Sequence, residues 1–267
     1  MANRHGDFIW YELLTSDADA AADFYAKVVG WTSSPSGQPG MDYRLFSSGD
    51  GSDMADGVGG FMAITPEMAE HGARPAWIGY LAADDVDASV AAITAAGGAE
   101  LMPAMDIDGV GRMAMVADPT GAAFYVMRGV SDEASHAFAS TEPKVGHGAW
   151  NELSSSDPAA AKAFYTAQFG WVQEGDLDMG PMGKYEFLWA SGKRFMQGAV
   201  MPKMPEMPMS AWVFYFRVPD IDAAATSTRA LGGTLLMEPM EIPGGDFSFT
   251  ARDPQGAVFG LVGARNG

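Results

Sequence analysis

The chain has no cysteine among its 267 residues, so disulfides, a thiolate nucleophile, thiolate-held zinc and iron–sulfur clusters are all excluded. It is also poor in positive charge. Sixteen Lys plus Arg stand against 34 Asp plus Glu, a formal net charge of −18. A phosphate backbone or an anionic membrane surface would be repelled, and no nucleic-acid or membrane partner is expected. No apolar run is long enough to span a bilayer, and the opening MANRHGDFIWYELL lacks the basic region and apolar stretch of a signal peptide. A soluble cytoplasmic protein is the expectation. Histidine is scarce too: His5, His71, His136 and His147 are scattered, and no triad of two His and one carboxylate suggests itself. What the chain does have is 48% hydrophobic residues, enough for one large core or two small ones.

An internal repeat decides the architecture. Residues 6–31 (GDFIWYELLTSDADAAADFYAKVVGW) match residues 146–171 (GHGAWNELSSSDPAAAKAFYTAQFGW) at an offset of 140, with 12 of 26 positions identical. At an offset of 135, Trp77-Ile-Gly-Tyr80 falls on Trp212-Val-Phe-Tyr215, and Asp85-Val-Asp-Ala on Asp220-Ile-Asp-Ala. Gly97-Gly98 falls on Gly232-Gly233, and Asp118-Pro-Thr-Gly on Asp253-Pro-Gln-Gly. The change of offset lies in residues 47–60, a Gly- and Asp-rich stretch that reads as a longer loop. The sequence therefore predicts a first module over residues 1–128, a linker over 129–145 and a second module over 146–267.

Within each module the hydrophobic period switches in a fixed order. An aromatic-rich strand around residues 8–14 precedes a helix capped by Asp17 and closed by Gly30, with Asp157 and Pro158 opening its counterpart. Strands beginning near Tyr43 and Tyr185 follow, then a second helix in each copy, opened by Asp85 or Asp220 and stopped by Gly-Gly. The last two strands flank the Asp-Pro-x-Gly turn. Four βαβββ units result, an α+β protein.

The pattern W-x-E-L-x-[ST]-x-D…F-Y…G-W, helix, D-[VI]-D-A, Gly-Gly, D-P-x-G-A resembles the vicinal oxygen chelate superfamily, which includes glyoxalase I, bleomycin-resistance proteins and extradiol dioxygenases. It is most similar to the two-module glyoxalase-like branch, which includes a mycobacterial antigen. The resemblance implies tandem modules, each built of two βαβββ units forming a curved mixed-sheet cup that takes the ligand. It also implies metal-ligand positions: a His or Gln seven residues before the Asp that opens the first helix, and a Glu seven residues after the Asp of the Asp-Pro-x-Gly turn. Those positions hold Trp10 and Trp150, and Tyr125 and Gly260. The further His of dioxygenases would fall on Trp77 or Ile78, and on Trp212 or Val213. No metal ligand is assigned, and no cofactor is expected.

Strand alternation places Glu12 on the face of Trp10, and Glu152 on the face of Trp150. A carboxylate beside indole in a partly dry cavity is a candidate acid or base, and two such groups close together would titrate apart. The blander reading has each Glu fixing local packing through hydrogen bonds. Tyr125 is the third catalytic candidate, as a hydroxyl donor. Trp10, Trp150, Tyr80, Tyr215, Arg217, Met105 and Met240 are candidate ligand contacts, with a surface ion pair the competing role for Arg217. Methionine is abundant, at 19, either as adaptable cavity lining or as core filler. Residues 201–209, MPKMPEMPM, read as an extended loop, or a lid, because proline bars both helix and central strand. The Asp-rich residues 50–56 lack the twelfth-position Glu of a calcium loop and read as solvated.

The sequence thus points to a glyoxalase-like protein, monomer or homodimer, that binds a small carbonyl-containing or aromatic molecule without a tightly held metal. Three functions compete: a metal-independent lyase or isomerase, a non-catalytic sequestering protein, and a metal-dependent lactoylglutathione lyase or dioxygenase.

Overall fold

The computed structural model describes residues 3–205 and 207–266. Its first βαβββ unit consists of β1 (Phe8–Thr15), α1 (Ala18–Val28), β2 (Thr32–Pro35), β3 (Tyr43–Ser47) and β4 (Gly57–Ala63). A short α2 (Pro66–Glu70) leads to the second unit: β5 (Ala76–Ala82), α3 (Val86–Ala95), β6 (Ala99–Ile107), β7 (Gly111–Ala117) and β8 (Ala123–Gly129). The third comprises β9 (Gly148–Ser155), α4 (Pro158–Phe169), β10 (Val172–Asp178), β11 (Lys184–Trp189) and β12 (Met196–Pro202). The fourth comprises β13 (Ala211–Val218), α5 (Ile221–Ala230), β14 (Thr234–Leu235), β15 (Met240–Glu241), β16 (Phe247–Arg252) and β17 (Val258–Gly263).

The repeated aspartates explain where the helices begin. Asp17, Asp85, Asp157 and Asp220 each sit at an N-cap and accept a backbone N–H from the first turn, satisfying a donor that has no partner within the helix. The glycine stops work as expected where the backbone turns left-handed: Gly97 and Gly232 both have φ of 88°.

Two mixed sheets follow the two modules. One runs β2-β3-β4-β1-β5-β8-β7-β6 and the other β10-β11-β12-β9-β13-β17-β16-β14, with β15 pairing β16. Within each βαβββ unit the first and last strands are parallel and the remaining pairs antiparallel. The compact units are divided differently. One contains the chain up to Ile9, Ile78–Ser135 and Trp150–Val213; the other contains Trp10–Trp77, His136–Ala149 and the chain from Phe214 onward. Each unit thus combines half of one module with the opposite half of the other. In the first α3 packs against α4, and in the second α1 packs against α5.

Inside each unit a buried polar cluster joins the two modules. Tyr25 of α1 donates its hydroxyl to Asp253 Oδ2 at 3.0 Å and accepts the Trp77 indole N–H at 2.8 Å. The other Asp253 oxygen, Oδ1, accepts the backbone N–H groups of Gln255, Gly256 and Ala257 and so shapes its own turn. In the other unit Tyr165 of α4 accepts the Trp212 indole N–H at 3.1 Å and stacks on Trp171 at 4.8 Å. Asp118, at the turn of the first module, lies beside that hydroxyl. Burial, reinforced by the neighbouring carboxylate, pushes both tyrosines well above the usual phenol range, so each hydroxyl keeps its proton.

Indoles also fasten the chain before each first strand. Trp31 donates to the Gly146 carbonyl at 2.7 Å, and Trp171 to the Gly6 carbonyl at 2.9 Å. Both glycines have φ of 82°, and a side chain there would collide with Ser48 or Phe169. The linker is held by His147, fully buried, whose Nδ1 donates to the His136 carbonyl at 2.6 Å while Nε2 accepts from Ser48 Oγ at 2.8 Å. Burial lowers its pKa, consistent with that neutral tautomer.

Replacing Tyr25 by Phe leaves an Asp253 oxygen and the Trp77 N–H buried without a partner. The expected loss is about 2–3 kcal/mol of stability by chemical denaturation. A loss below about 0.5 kcal/mol would refute the role given to this cluster.

Candidate functional site

In β9 the alternation puts Asn151 and Leu153 fully buried on one face, leaving Trp150 and Glu152 half-buried on the other. The two half-buried side chains meet on a single hydroxyl. Trp150 Nε1 donates to Tyr185 Oη at 2.6 Å, and Tyr185 Oη donates to Glu152 Oε2 at 2.8 Å. Tyr185 belongs to β11, whose Phe187 stands opposite Ala199 of β12, itself opposite Glu152. Phe187 also sits edge-on to Trp150 at 6.2 Å. The result is an aromatic face with a carboxylate–phenol pair at its centre. The tyrosine oxygen thus accepts from an indole N–H on one side and donates to a carboxylate on the other.

The first module repeats the arrangement in the other unit. Trp10 Nε1 donates to Tyr43 Oη at 3.0 Å. Glu12 is buried, in register with Gly60 of β4. A Cβ on Gly60 would lie 2.2 Å from the Tyr43 hydroxyl, so this phenol occupies the space above the residue opposite Glu12. In the second module Ala199 holds that position.

Glu12 and Glu152 therefore belong to different sheets and different compact units, each beside its own Trp and Tyr. Tyr43 and Tyr185 were not singled out by the motif comparison. They were detectable only as a shared tyrosine opening the third strand of each module, at an offset (185 − 43 = 142) that matches neither block of identity.

The remaining candidates are placed as follows. Tyr80 and Tyr125 stand in register on β5 and β8, both buried, with rings stacked at 4.2 Å. Tyr215 lies over Gly260 in the same register, where a Cβ would meet its ring at 2.3 Å, and its hydroxyl is 3.0 Å from Thr250 Oγ1. Arg217 donates to Asp246 Oδ2 at 2.7 Å in a partly buried ion pair. Met105 and Met240 are 43% and 51% exposed, so neither is core filler. The aspartates of the 50–56 loop are spent locally: Asp50 accepts the Ser52 N–H, Asp53 accepts the Ala55 N–H, and Asp56 pairs with Lys144.

Comparison with known proteins is consistent across both halves. Residues 144–261 match the Glyoxalase/Bleomycin resistance protein/Dioxygenase superfamily, and residues 10–127 match the glyoxalase-like domain. The chain belongs to this superfamily. Similar proteins include CFP32 of Mycobacterium bovis, provisionally named a glyoxylase, 36% identical over 97% of this chain and 95% of that protein. The anthracycline biosynthesis protein DnrV of Streptomyces peucetius is 35% identical over 97% of this chain and 93% of its own length. Among solved structures, the Mn(II)-bound glyoxalase of Novosphingobium aromaticivorans has a TM-score of 0.63 at 17% identity, covering 97% of this chain and 82% of that one. The 2,2',3-trihydroxybiphenyl 1,2-dioxygenase of Sphingomonas wittichii has a TM-score of 0.66 at 14% identity, covering 97% and 91%. These two establish the shared fold.

A divalent metal does not fit the positions that the superfamily resemblance assigns to it. An indole nitrogen has no lone pair to offer, and in Trp10 and Trp150 its hydrogen is already given to a tyrosine. Tyr125 is stacked on Tyr80, and Gly260 lies beneath the Tyr215 ring. Among the described residues no three His, Asp or Glu converge to hold a metal ion.

The glycine at position 60 gives a direct test. Gly60→Ala forces the Tyr43 ring off its indole partner and is expected to cost about 1–3 kcal/mol in chemical denaturation. Unchanged stability would show that Tyr43 is not held there.

Proposed function

We propose that this superfamily member binds a small carbonyl-containing or aromatic molecule on the aromatic face of β9 and β11 and acts on it as a metal-independent lyase or isomerase. The observation that carries the reading is the chain of hydrogen bonds from Trp150 through Tyr185 to Glu152. Glu152, as carboxylate, takes a proton from the carbon α to the substrate carbonyl, while the Tyr185 hydroxyl, turned from Glu152 to the bound substrate, gives its proton to the carbonyl oxygen, leaving an enol, a Glu152 acid and a Tyr185 phenolate. For an α-hydroxy carbonyl, transfer of the Glu152 proton to the former carbonyl carbon, with the α-hydroxyl proton returning to the Tyr185 phenolate, completes an isomerisation; expulsion of a leaving group from the β carbon with the Glu152 proton, as the enol proton returns to Tyr185, completes an elimination. The Trp150 N–H steadies the tyrosine oxygen as its proton leaves. Trp150 and Phe187 supply the apolar surface against which a flat ligand rests. Glu12, with Trp10 and Tyr43, forms the counterpart in the first module, and Tyr125 remains a candidate hydroxyl donor beside Tyr80. The relative named for anthracycline biosynthesis supports an aromatic, carbonyl-bearing ligand. A cytoplasmic monomer or homodimer meets these requirements, and no nucleic acid or membrane takes part.

A second reading, non-catalytic sequestration, draws on the same half-buried indoles. The two readings separate once a ligand has been identified, for which native mass spectrometry of purified protein, searching for co-purified small molecules, is the first step. With that compound as substrate, Glu152→Gln is expected to lower turnover about 100- to 10,000-fold with binding retained. Unchanged turnover in both Glu12→Gln and Glu152→Gln would overturn the catalytic assignment. Binding without turnover by the unaltered protein, weakened by Trp150→Ala, would establish sequestration.

A further inference from the structure

Between α3 and the edge strand β6 the first module holds an open cavity of about 710 Å³, within the range of ordinary small-molecule sites. Val90, Ala91 and Ala95 of α3, with Pro103 and Ala104 of β6, give it apolar walls. At one end Arg112 of β7 is fully committed. Its Nε and Nη2 donate to the two carboxylate oxygens of Asp87 at 2.9 and 2.7 Å, and its Nη1 donates to Asp106 Oδ2 at 3.1 Å. Glu100 also lines the cavity, and among the described residues it belongs to no ion pair. One cation thus stands against three carboxylates, Asp87, Glu100 and Asp106.

The duplication supplies an internal comparison. Strand pairing keeps the offset of 135 here: Glu100 opposite Val116 corresponds to Leu235 opposite Ala251, and Met105 opposite Met113 to Met240 opposite Ser248. At that offset Thr94 corresponds to Arg229, and Pro103 to Glu238. In the second module Arg229 of α5 donates to both carboxylate oxygens of Glu238, so a guanidinium and a carboxylate join the helix to the segment before β15. The first module has a threonine and a proline at those places, and both line the cavity. The helix aspartate is served in both modules, Asp87 by Arg112 and Asp222 by Arg265. What the first module lacks is the second cation, and what it keeps is an unpaired carboxylate, Glu100, where the second module has Leu235.

We propose that the groove between α3 and β6 binds a small organic cation, an amidinium or guanidinium on an apolar body, with Glu100 accepting its N–H groups as Glu238 does those of Arg229. A planar, forked cation matches a carboxylate through two parallel hydrogen bonds, and the apolar walls take the body of the ligand. The net charge of −18 draws cations toward the surface. Binding makes no covalent bond and moves no proton. The site uses no residue of the β9 and β11 face.

The test titrates the isotope-labelled full chain with benzamidine and follows its backbone amides by NMR. Saturable shifts concentrated in α3 and β6 are expected. Benzamide, the uncharged isostere, is expected to bind at least about threefold more weakly. Glu100→Gln is expected to weaken benzamidine by a similar factor with an unchanged melting temperature, since Glu100 is exposed. The double variant Thr94→Arg, Pro103→Glu installs the ion pair of the second module in the groove and is expected to abolish the shifts; Glu100→Gln carries the test if the double variant does not fold. No saturable shifts, shifts centred outside α3 and β6, equal binding of benzamide, or undiminished binding in Glu100→Gln or in the folded double variant would each overturn the proposal.

Discussion

A tyrosine hydroxyl buried against an aspartate is the contact on which the two-module arrangement rests. Tyr25 from the first module is hydrogen-bonded to Asp253 from the second, with Trp77 closing the far side, and in the other unit Tyr165 accepts from Trp212 with the Asp118 carboxylate as its charged neighbour. In the Tyr25 cluster the groups are buried deeply enough that losing the tyrosine hydroxyl strands the Trp77 N–H and an Asp253 oxygen. The helix Tyr of one module and the turn Asp of the other must therefore come together for either unit to close. This makes each compact unit a joint product of both modules, although the sheet order follows the modules.

Much of this was legible in the sequence because its devices are local. An N-cap Asp, a Gly-Gly stop and an Asp-Pro-x-Gly turn each act within a few residues, and duplication displays each one twice. The purpose of several repeated residues was not legible. Tyr25, Trp77 and Asp253 look like a helix residue, a strand residue and a turn residue, and nothing in the spacing says that they share one hydrogen-bonded cluster. Strand parity did place Glu152 beside Trp150, since a period of two is local as well. It could not supply Tyr185, which approaches from another strand, nor the opening at Gly60 that admits Tyr43.

The same pairing logic shapes the candidate site. Where the superfamily resemblance calls for a ligating side chain at the start of each module, this chain has an indole committed to a phenol; where it calls for a second, it has a stacked tyrosine or a glycine beneath one. Each substitution makes sense only with its partner: Trp150 needs Tyr185, Tyr125 needs Tyr80, and Gly260 needs Tyr215. The fold is common to the superfamily, and the chemistry follows from this altered set of side chains.

The central claim is that aromatic pairs have taken over the divalent-metal positions of this fold. The most direct measurement is the melting temperature of the purified protein in EDTA and then in saturating Mn(II), Ni(II) or Zn(II), because any ion bound by the native state alone must raise it. The account predicts values equal to within about 1 °C, well below the shift that binding worth 1 kcal/mol would produce. A rise of several degrees with one of these ions, reversed by the chelator, would contradict it.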